Sequence, residues 1–253
     1  MTVRNPFESA AAARRYVAGR LYYHDTALEL AFARLGRVRA GVAVDLGCGT
    51  GLSTRALRER ADRIIAADIS KSMLREAAGG PLYVVASAER IPVRDGVADL
   101  VTAGAAFHWF DQRKAFPELA RVLRPDGALA IYSDFFLGRL AGVPDFADWF
   151  TNTYRPRFPG PPRHTQFDPP AATAAGFVDV DLAEREIVVP LTCRHIVDYL
   201  LSQSNALAAI DSGATTAAGL AADLTRELAP FFPATGTADV VFGIRVLTAK
   251  LAP

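Results

Sequence analysis

The segment VDLGCGTG, residues 44–51, combines an acid with three glycines at alternate positions. Gly47, Gly49 and Gly51 follow Asp45 at the end of an apolar run. Glycine adopts positive φ and lets a ligand contact bare backbone, and a helix after the loop would offer unpaired N–H groups. The spacing therefore predicts a ligand-binding turn. The alternative is a tight turn that needs glycine for its own geometry.

Two nucleotide-binding motifs do not fit this loop. Counted from Gly47, the dinucleotide fingerprint G-x-G-x-x-G needs a third glycine where the chain has Leu52. The phosphate loop of nucleotide hydrolases needs a lysine before its Ser or Thr, but Ser53 follows Leu52. What remains is a nucleoside ligand without a pyrophosphate, and an NAD-dependent oxidoreductase is disfavoured.

A second acid supports a nucleoside ligand. Asp68 follows Asp45 by 23 residues, close to the offset of about 20 residues at which an acid after the second strand binds ribose hydroxyls. The alternative is that Asp68 caps the next helix. Ser70 is the better N-cap, which would leave Asp68 available for a sugar.

Short β-rich runs alternate with helical stretches along the first half of the chain. Near-continuous apolar strands separated by helices predict an α/β, doubly wound and mostly parallel seven-stranded sheet, covered on both faces. Such sheets bind ligands at the carboxyl ends of their strands. Strands are predicted at residues 42–46, 63–68, 82–87, 99–104, 128–133, 184–191 and 240–251, and helices at 53–59, 71–78 and 115–123.

The pattern changes after residue 133. Residues 155–164 are proline-rich and are predicted to form a loop rather than a helix. Helices are predicted at 192–209 and 216–228. We expect one domain over residues 1–253, in which N-terminal helices at 6–38 and an insertion at 190–235 form a lid over the substrate.

Composition restricts the partners. The chain has 253 residues and a net charge of +1, so it lacks the broad positive surface of a nucleic-acid-binding protein. Cys48 and Cys193 fit no disulfide or zinc spacing, and no run of about 18 apolar residues predicts a membrane span. A soluble, cytoplasmic monomer or homodimer that acts on a small molecule is expected, with no metal.

Several motifs together resemble the class I S-adenosylmethionine-dependent methyltransferases, in particular the small-molecule group that includes trans-aconitate methyltransferase-like proteins. The motifs are VDLGCGTG, AADIS, ASAERIPVRDGVADLV and AGAAFHWFD. YVAGRLYY, residues 16–23, is similar to the N-terminal Tyr-x-x-x-Arg segment of that group, and DYLLSQS, residues 198–204, is similar to its lid helix.

The resemblance implies S-adenosyl-L-methionine as cofactor, S-adenosyl-L-homocysteine as product, and a cofactor site distributed over several motifs. The glycine loop would hold the methionine end, Asp68 the ribose, and the residues after the third strand the adenine. Ser87 departs from the aspartate that is frequent before the Ala-Glu pair, so the adenine contact would lack charge assistance. The implied cofactor residues are Tyr16, Arg20, Asp45, Gly47, Gly49, Gly51, Asp68, Ile69, Ala88, Glu89, Gly104 and Ala105.

A methyl transferase must mainly hold a nucleophile in line and exclude water. His108 is the candidate general base, because it follows the fourth strand; alternatively it only shapes the pocket floor. His24 could reach the same cavity from the N-terminal helix, but a solvated position on the helix face is expected instead. Cys48 is expected to be a small filler. The candidate substrate contacts are Tyr23, Phe107, Trp109 and Tyr199.

Two features bear on the class of substrate. Aromatic residues between positions 135 and 150 would indicate a large apolar substrate if they line a pocket, but they could equally form core. Arg139, Arg155, Arg157 and Arg163 would suit a carboxylate, although arginines around prolines usually belong to a solvated loop.

Three functions remain open at this stage. The first is methyl transfer to oxygen, carbon or a carboxylate of a small organic molecule. The second is a cyclase or another non-methylating enzyme that retains the cofactor. The third is a non-catalytic sensor of the cofactor. Formation of S-adenosylhomocysteine separates the first from the second.

Overall fold

The computed structural model describes residue 7 and residues 9–77, 82–160 and 167–253. The chain divides into two compact units. Unit 1 comprises Met1–Leu21, Phe135–Pro162 and Arg185–Gly243. Unit 2 comprises Tyr22–Asp134, Arg163–Glu184 and Ile244–Pro253. The single domain with a lid that the sequence indicates stays a prediction.

Seven strands form one sheet in the order β3-β2-β1-β4-β5-β7-β6. The strands β1 to β5 pair in parallel, so the predicted doubly wound, mostly parallel sheet is confirmed. The order reverses direction between β1 and β4, the point at which such sheets bind ligands. The strands are β1 Ala40–Leu46, β2 Ala61–Asp68, β3 Leu82–Val85, β4 Ala98–Gly104, β5 Leu123–Leu140, β6 Phe177–Leu191 and β7 Ala238–Leu251.

Helices connect these strands and form most of unit 1. The helices are α1 Ala10–Gly19, α2 His24–Leu35, α3 Leu52–Leu57, α4 Lys71–Arg75, α5 Gln112–Val122, α6 Pro144–Trp149, α7 Arg155–Arg157, α8 Pro169–Ala174, α9 Cys193–Leu201, α10 Ser204–Asp211 and α11 Ala217–Leu228. A π-helical turn, Phe150–Tyr154, joins α6 to α7, and Phe107–Trp109 and Ala229–Phe231 are 3-10 turns.

Unit 2 packs its helices against a core of strand residues. Val44, Val101 and Leu129, from three neighbouring strands, are fully buried, and Phe116 of α5 covers them on the same core. Apolar residues on both faces of a strand are typical of a parallel sheet that is covered on both sides. This core fixes the carboxyl ends of β1 and β4 and the adjoining first half of β5.

Unit 1 is a helical and aromatic assembly. Helix α1 approaches α9 so closely that a Cβ at Gly19 would overlap the backbone carbonyl of Asp198, which explains the glycine in YVAGR. Phe146 is fully buried, and Phe136, Trp149 and Phe150 pack on the same core. These aromatic residues therefore form core, the second of the two alternatives that the sequence left open.

Two element predictions were wrong. The helix predicted at 192–209 is two helices, α9 and α10, because Gln203 is extended (φ −72°, ψ 145°) and begins a new helix as its N-cap. The loop predicted at 155–164 begins with the helical turn α7, whose Pro156 lies in the first turn, where proline is tolerated. Helix α4 ends at Arg75, three residues before the predicted end of the helix at 71–78. Residue 78 and residues 161–164 of the predicted loop lie outside the described residues.

Candidate functional site

The glycine loop adopts a conformation that side chains would obstruct. Gly47, Gly49 and Gly51 have φ values of 62°, 55° and 82°. A Cβ at Gly47 would overlap the Cβ of Ala106, and one at Gly51 would lie 2.6 Å from the hydroxyl of Tyr83. The protein's own turn and packing therefore already require glycine here, so the glycines by themselves do not identify a ligand.

Asp45, which precedes the glycine loop, links the loop's flanking elements through hydrogen bonds. It is fully buried, and its carboxylate accepts hydrogen bonds from the hydroxyls of Ser53 (2.6 Å), Thr54 (2.6 Å) and Thr102 (2.9 Å). Thr102 is its register partner on β4. Burial raises the pKa of Asp45 to about 6, although the three hydroxyls oppose this rise. Asp45 thus joins β1, α3 and β4, and its contact with a cofactor stays a prediction.

Asp68 connects the end of β2 to the glycine loop. Its Oδ2 accepts a hydrogen bond from the backbone N–H of Gly49 (2.8 Å) and its Oδ1 one from the N–H of Ser70 (2.7 Å). Ser70 is the N-cap of α4, as predicted, since its hydroxyl accepts from the N–H of Met73. Asp68 is nevertheless already engaged with backbone amides, contrary to expectation. Burial raises its pKa against the opposing effect of those amides.

Two residues near Asp68, Ile69 and Thr50, have side chains that are not satisfied within the described part of the protein. The side chain of Ile69 is 64% exposed, directly after the carboxylate. Within the described ranges, the buried hydroxyl of Thr50 in the glycine loop has no hydrogen-bond partner. An exposed apolar side chain and an unsatisfied polar atom beside one carboxylate are both features that a bound ligand would account for.

The residues after β3 form a local hydrogen-bonded turn. The hydroxyl of Ser87 donates to the carboxylate of Glu89, which also accepts from the N–H of Asp111 (2.8 Å). Ala88 between them is buried in the core of unit 2. Ser87, the residue that departs from the family pattern, therefore uses its hydroxyl as a hydrogen-bond donor to Glu89. The contact of Ala88 and Glu89 with the adenine stays a prediction.

A cavity of about 260 Å³ lies in unit 2, at the carboxyl end of β4 and beside the middle of β5. Gly104 ends β4, and Ala105 follows with a positive φ of 53° while its N–H donates to the carbonyl of Tyr132 (2.7 Å). Ala106, which packs on Gly47, belongs to the same wall, so the cavity adjoins the glycine loop. Its lining is Ala105, Ala106, Phe107, His108, Ile131, Tyr132, Ser133, Phe167, Leu182, Arg245 and Leu247.

The 3-10 turn after β4 directs two of the three predicted residues to the cavity and the third to the core. Phe107 and His108 line the cavity. Trp109 instead packs against the hydrophobic core, with its ring 4.9 Å from that of His108. His108 is thus located where a base could reach an acceptor, and its catalytic role stays a prediction.

Tyr132, which the sequence analysis missed, lies at the centre of this region. The hydroxyl and ring edge of Tyr132 would be 3.0 Å from a Cβ at Gly104, and His24 Nδ1 lies 3.4 Å from the hydroxyl. His24 is only 3% exposed and its ring stacks on that of Tyr23 at 4.5 Å. The expectation of a solvated His24 was therefore wrong, because His24 begins α2 facing β5. Tyr132 could have been found as an aromatic residue at the end of a predicted strand.

In unit 1, three of the predicted residues form one group. The guanidinium of Arg20 lies 4.8 Å from the ring centre of Tyr16 and 5.9 Å from that of Tyr199. Tyr199 is buried on α9. The structure thus brings Tyr16, Arg20 and Tyr199 together within their own unit, and their contacts with cofactor or substrate stay predictions.

The remaining candidates carry no catalytic geometry. Cys48 is buried and burial raises its pKa, so its thiol is a poor nucleophile. His195 is exposed and pairs with Thr192. Arg139 and Arg157 form ion pairs with Glu186 and Glu227, and Arg163 lies outside the described residues.

The described ranges of the chain contain no group of three or more His, Cys, Asp or Glu side chains that could hold a metal ion. They also contain no helix with the length and apolar character that crossing a membrane requires.

Residues 44–131 match the model of a methyltransferase domain family. An uncharacterised methyltransferase of Mycobacterium tuberculosis is 42% identical over 91 residues, which are 35% of this chain and 37% of the relative. The malonyl-acyl-carrier-protein O-methyltransferase of Geobacter sulfurreducens is 35% identical over 144 residues, which are 52% of this chain and 53% of the relative. The chain thus matches only about a third to a half of the length of these curated relatives.

The fold has a counterpart over nearly the whole chain. The solved structure of a candidate type II methyltransferase from Anaeromyxobacter dehalogenans superposes with a TM-score of 0.67 at 26% identity. The superposition covers 88% of this chain and 95% of that one. Residues 44–131 therefore belong to the methyltransferase domain family, on the seven-stranded fold of the class I S-adenosylmethionine-dependent methyltransferases that the sequence motifs indicated.

Proposed function

We propose that this protein is an enzyme that transfers a methyl group from S-adenosyl-L-methionine to a small organic molecule. The observation that carries the proposal is the hydrogen bond from the Gly49 N–H to Asp68, which joins the family's glycine loop to an acid at the end of the next strand. That pair lies beside the reversal of strand order, where doubly wound sheets bind ligands.

The residues present fit the cofactor. Each Asp68 oxygen accepts one amide hydrogen bond, and a carboxylate oxygen can accept more than one, so two ribose hydroxyls can still be bound. The exposed Ile69 would pack against the adenine. When bound, the cofactor supplies an electrophilic methyl group. Asp45, Gly47, Gly49 and Gly51 would hold its methionine end, Ala88 and Glu89 its adenine, and Gly104, Ala105, Tyr16 and Arg20 the atoms near the sulfur.

The cavity next to the loop provides the space for the methyl acceptor. Phe107, Ile131 and Leu247 give it apolar walls, whereas His108 and Ser133 add polar groups. Positioning a nucleophile in a dry cavity is the main requirement of methyl transfer. The size of the cavity supports a small molecule, and the O-methyltransferase name of the Geobacter relative supports oxygen as the accepting atom.

The setting of the enzyme is also a proposal. The net charge of +1 supports a small molecule rather than nucleic acid as the partner. The two free cysteines support a reducing cytoplasm. We infer a monomer or homodimer, to be tested by sedimentation.

The proposal is tested by calorimetry with S-adenosylmethionine and S-adenosylhomocysteine. Asp68→Asn should weaken both affinities about 10- to 100-fold, since losing a charged hydrogen-bond partner costs about 1.5–3 kcal/mol. Asp62→Asn is the matched control, because Asp62 lies on the same strand with a 62% exposed side chain. Asn is preferred to Ala, because its amide oxygen can keep one bond to the loop.

The outcomes separate the proposals. Equal affinity in Asp68→Asn and the control contradicts the ribose assignment. No heat with either ligand, for folded wild-type protein, contradicts the cofactor and hence the function. The cyclase has less support than methyl transfer, and S-adenosylhomocysteine formed in proportion to a methylated product excludes both the cyclase and the sensor.

A further inference from the structure

We propose that Tyr132, backed by His24, is the catalytic residue that takes the proton of the methyl acceptor, and that the acceptor is therefore a phenol or alcohol. This inference rests on the proposed function and deepens it. It assigns the proton to a pair that the sequence motifs do not contain, rather than to His108.

The first support is the location of the Tyr132 hydroxyl. Tyr132 is the register partner of Gly104, the last residue of β4, and its hydroxyl would lie 3.0 Å from a Cβ there. Gly104 is the residue predicted to face the reacting sulfur. Tyr132 also lines the cavity that would hold the acceptor. Tyr132 thus borders both the predicted position of the sulfur and the cavity, whereas His108 lines the cavity.

The second support is the hydrogen-bond partner of the Tyr132 hydroxyl, which is His24. His24 Nδ1 lies 3.4 Å away, across 108 residues of sequence. Tyr132 is 1% exposed and His24 3%, so bulk water does not compete for this pair. Burying two polar rings is unfavourable unless they are hydrogen-bonded, and a paired, buried imidazole next to a cavity is suited to hold a proton.

The third support is the surroundings of His24. The ring of Tyr23 stacks on it at 4.5 Å, and the rings of Tyr22 and Tyr132 lie at 5.7 Å. Aromatic faces favour a cation, so these rings would stabilise an imidazolium. Among these rings, Tyr22 has charged partners of its own: Asp25 accepts from its hydroxyl, and Arg55 of α3 lies over its ring at 3.8 Å.

The proton step balances within this pair. The hydrogen of the acceptor's O–H moves to Tyr132 Oη, while the phenolic hydrogen of Tyr132 moves to His24 Nδ1. The acceptor oxygen keeps the electron pair of its broken O–H bond, and that pair makes it the nucleophile. With the cofactor bound, the bond between the methyl carbon and sulfur would break, and its electron pair would stay on the sulfur of S-adenosylhomocysteine. His24 becomes an imidazolium and later releases its proton to solvent. The step requires that His24 Nδ1 carries no hydrogen in the resting protein.

The decisive experiment is nitrogen NMR of the histidine rings in ¹⁵N-labelled full-length protein with S-adenosylhomocysteine bound. We expect His24 to be neutral with an unprotonated, hydrogen-bonded Nδ1, and the Nδ1 resonance to move toward that of a bare nitrogen in Tyr132→Phe. Tyr22→Phe is the matched control, since it removes a neighbouring hydroxyl outside the pair, and its spectrum should keep the His24 signature. A protonated Nδ1 at pH 7 overturns the inference.

Binding of a probe tests the acceptor class. With S-adenosylhomocysteine present, 4-methylphenol should bind the wild type and bind Tyr132→Phe about tenfold more weakly, the effect of one lost hydrogen bond. 4-Methylanisole, which has no O–H, should not distinguish the two proteins. No binding of 4-methylphenol to the wild type, or equal binding to Tyr132→Phe, overturns the acceptor class.

The two levels of proposal fail differently. Loss of S-adenosylhomocysteine binding in the wild type contradicts the proposed function itself. Retained binding with a protonated Nδ1 contradicts only the role of Tyr132 and His24. If Tyr132→Phe does not fold, the tautomer of His24 in the wild type still decides the inference.

Discussion

The glycine loop of unit 2 and the aromatic group of unit 1 are held in different ways. In the loop, Asp45 binds three hydroxyls and Asp68 two amides, so carboxylates fix the backbone. In the group formed by Tyr16, Arg20 and Tyr199, ring faces hold a guanidinium. The loop therefore depends on backbone conformation and ionisation, whereas the aromatic group depends on side-chain packing, and different substitutions should damage each.

The largest loss of stability is expected when a side chain is added to the glycine loop. Gly47→Ala should lower the free energy of unfolding by about 2–4 kcal/mol, because it adds the strain of positive φ to an overlap with Ala106. Gly36→Ala is the control, since Gly36 has the same φ of 62° with nothing within 4 Å of a Cβ, and it should cost about 1–2 kcal/mol. Urea unfolding measures both, and equal losses would show that packing against Ala106 does not matter.

The second effect is the pH dependence of the loop's anchor. Asp45 has a pKa of about 6 in the folded protein and an ordinary value of 3.8, so the folded state holds the proton more tightly. The free energy of unfolding should therefore fall as the pH rises from about 4 to about 6, by at most about 3 kcal/mol. Asp45→Asn cannot titrate there and should lose this slope.

Unfolding curves at pH 4.5, 5.5 and 7 for both proteins check that prediction. The slopes are compared rather than the absolute stabilities, because the Asn variant also weakens the bonds to Ser53, Thr54 and Thr102. An identical slope in the two proteins would mean that Asp45 does not carry it.

Sequence predicted the loop well because its rules are local. Asp45, the glycines and Ser70 occupy positions that a strand-to-helix turn and an N-cap require, and those requirements act over a few residues. Asp68 was placed correctly at the end of β2, but its bond to Gly49 depends on how two loops meet. Thr102 supports Asp45 only because β4 lies beside β1 in that register.

The pairs that join distant segments could not be predicted. Tyr132 and His24 meet because the start of α2 lies beside the middle of β5, and nothing within either segment encodes that contact. The break between α9 and α10 was missed because the residues around Gln203 keep a helical pattern, although Gln203 itself is extended. The contact between Tyr132 and His24 is set by tertiary packing rather than by local preference.

The smallest loss of stability is expected for a substitution in the aromatic group of unit 1. Arg20→Met keeps the length of the side chain but removes its charge, and should lower stability by about 1 kcal/mol through the lost interaction with the rings of Tyr16 and Tyr199. Arg14→Met, at an exposed position of the same helix, should change stability by less than about 0.5 kcal/mol. Calorimetry with S-adenosylhomocysteine then decides what else Arg20 does. If its role is confined to ring packing, affinity in Arg20→Met stays that of the wild type. A tenfold loss, absent in Arg14→Met, would instead support the predicted contact with the cofactor's carboxylate.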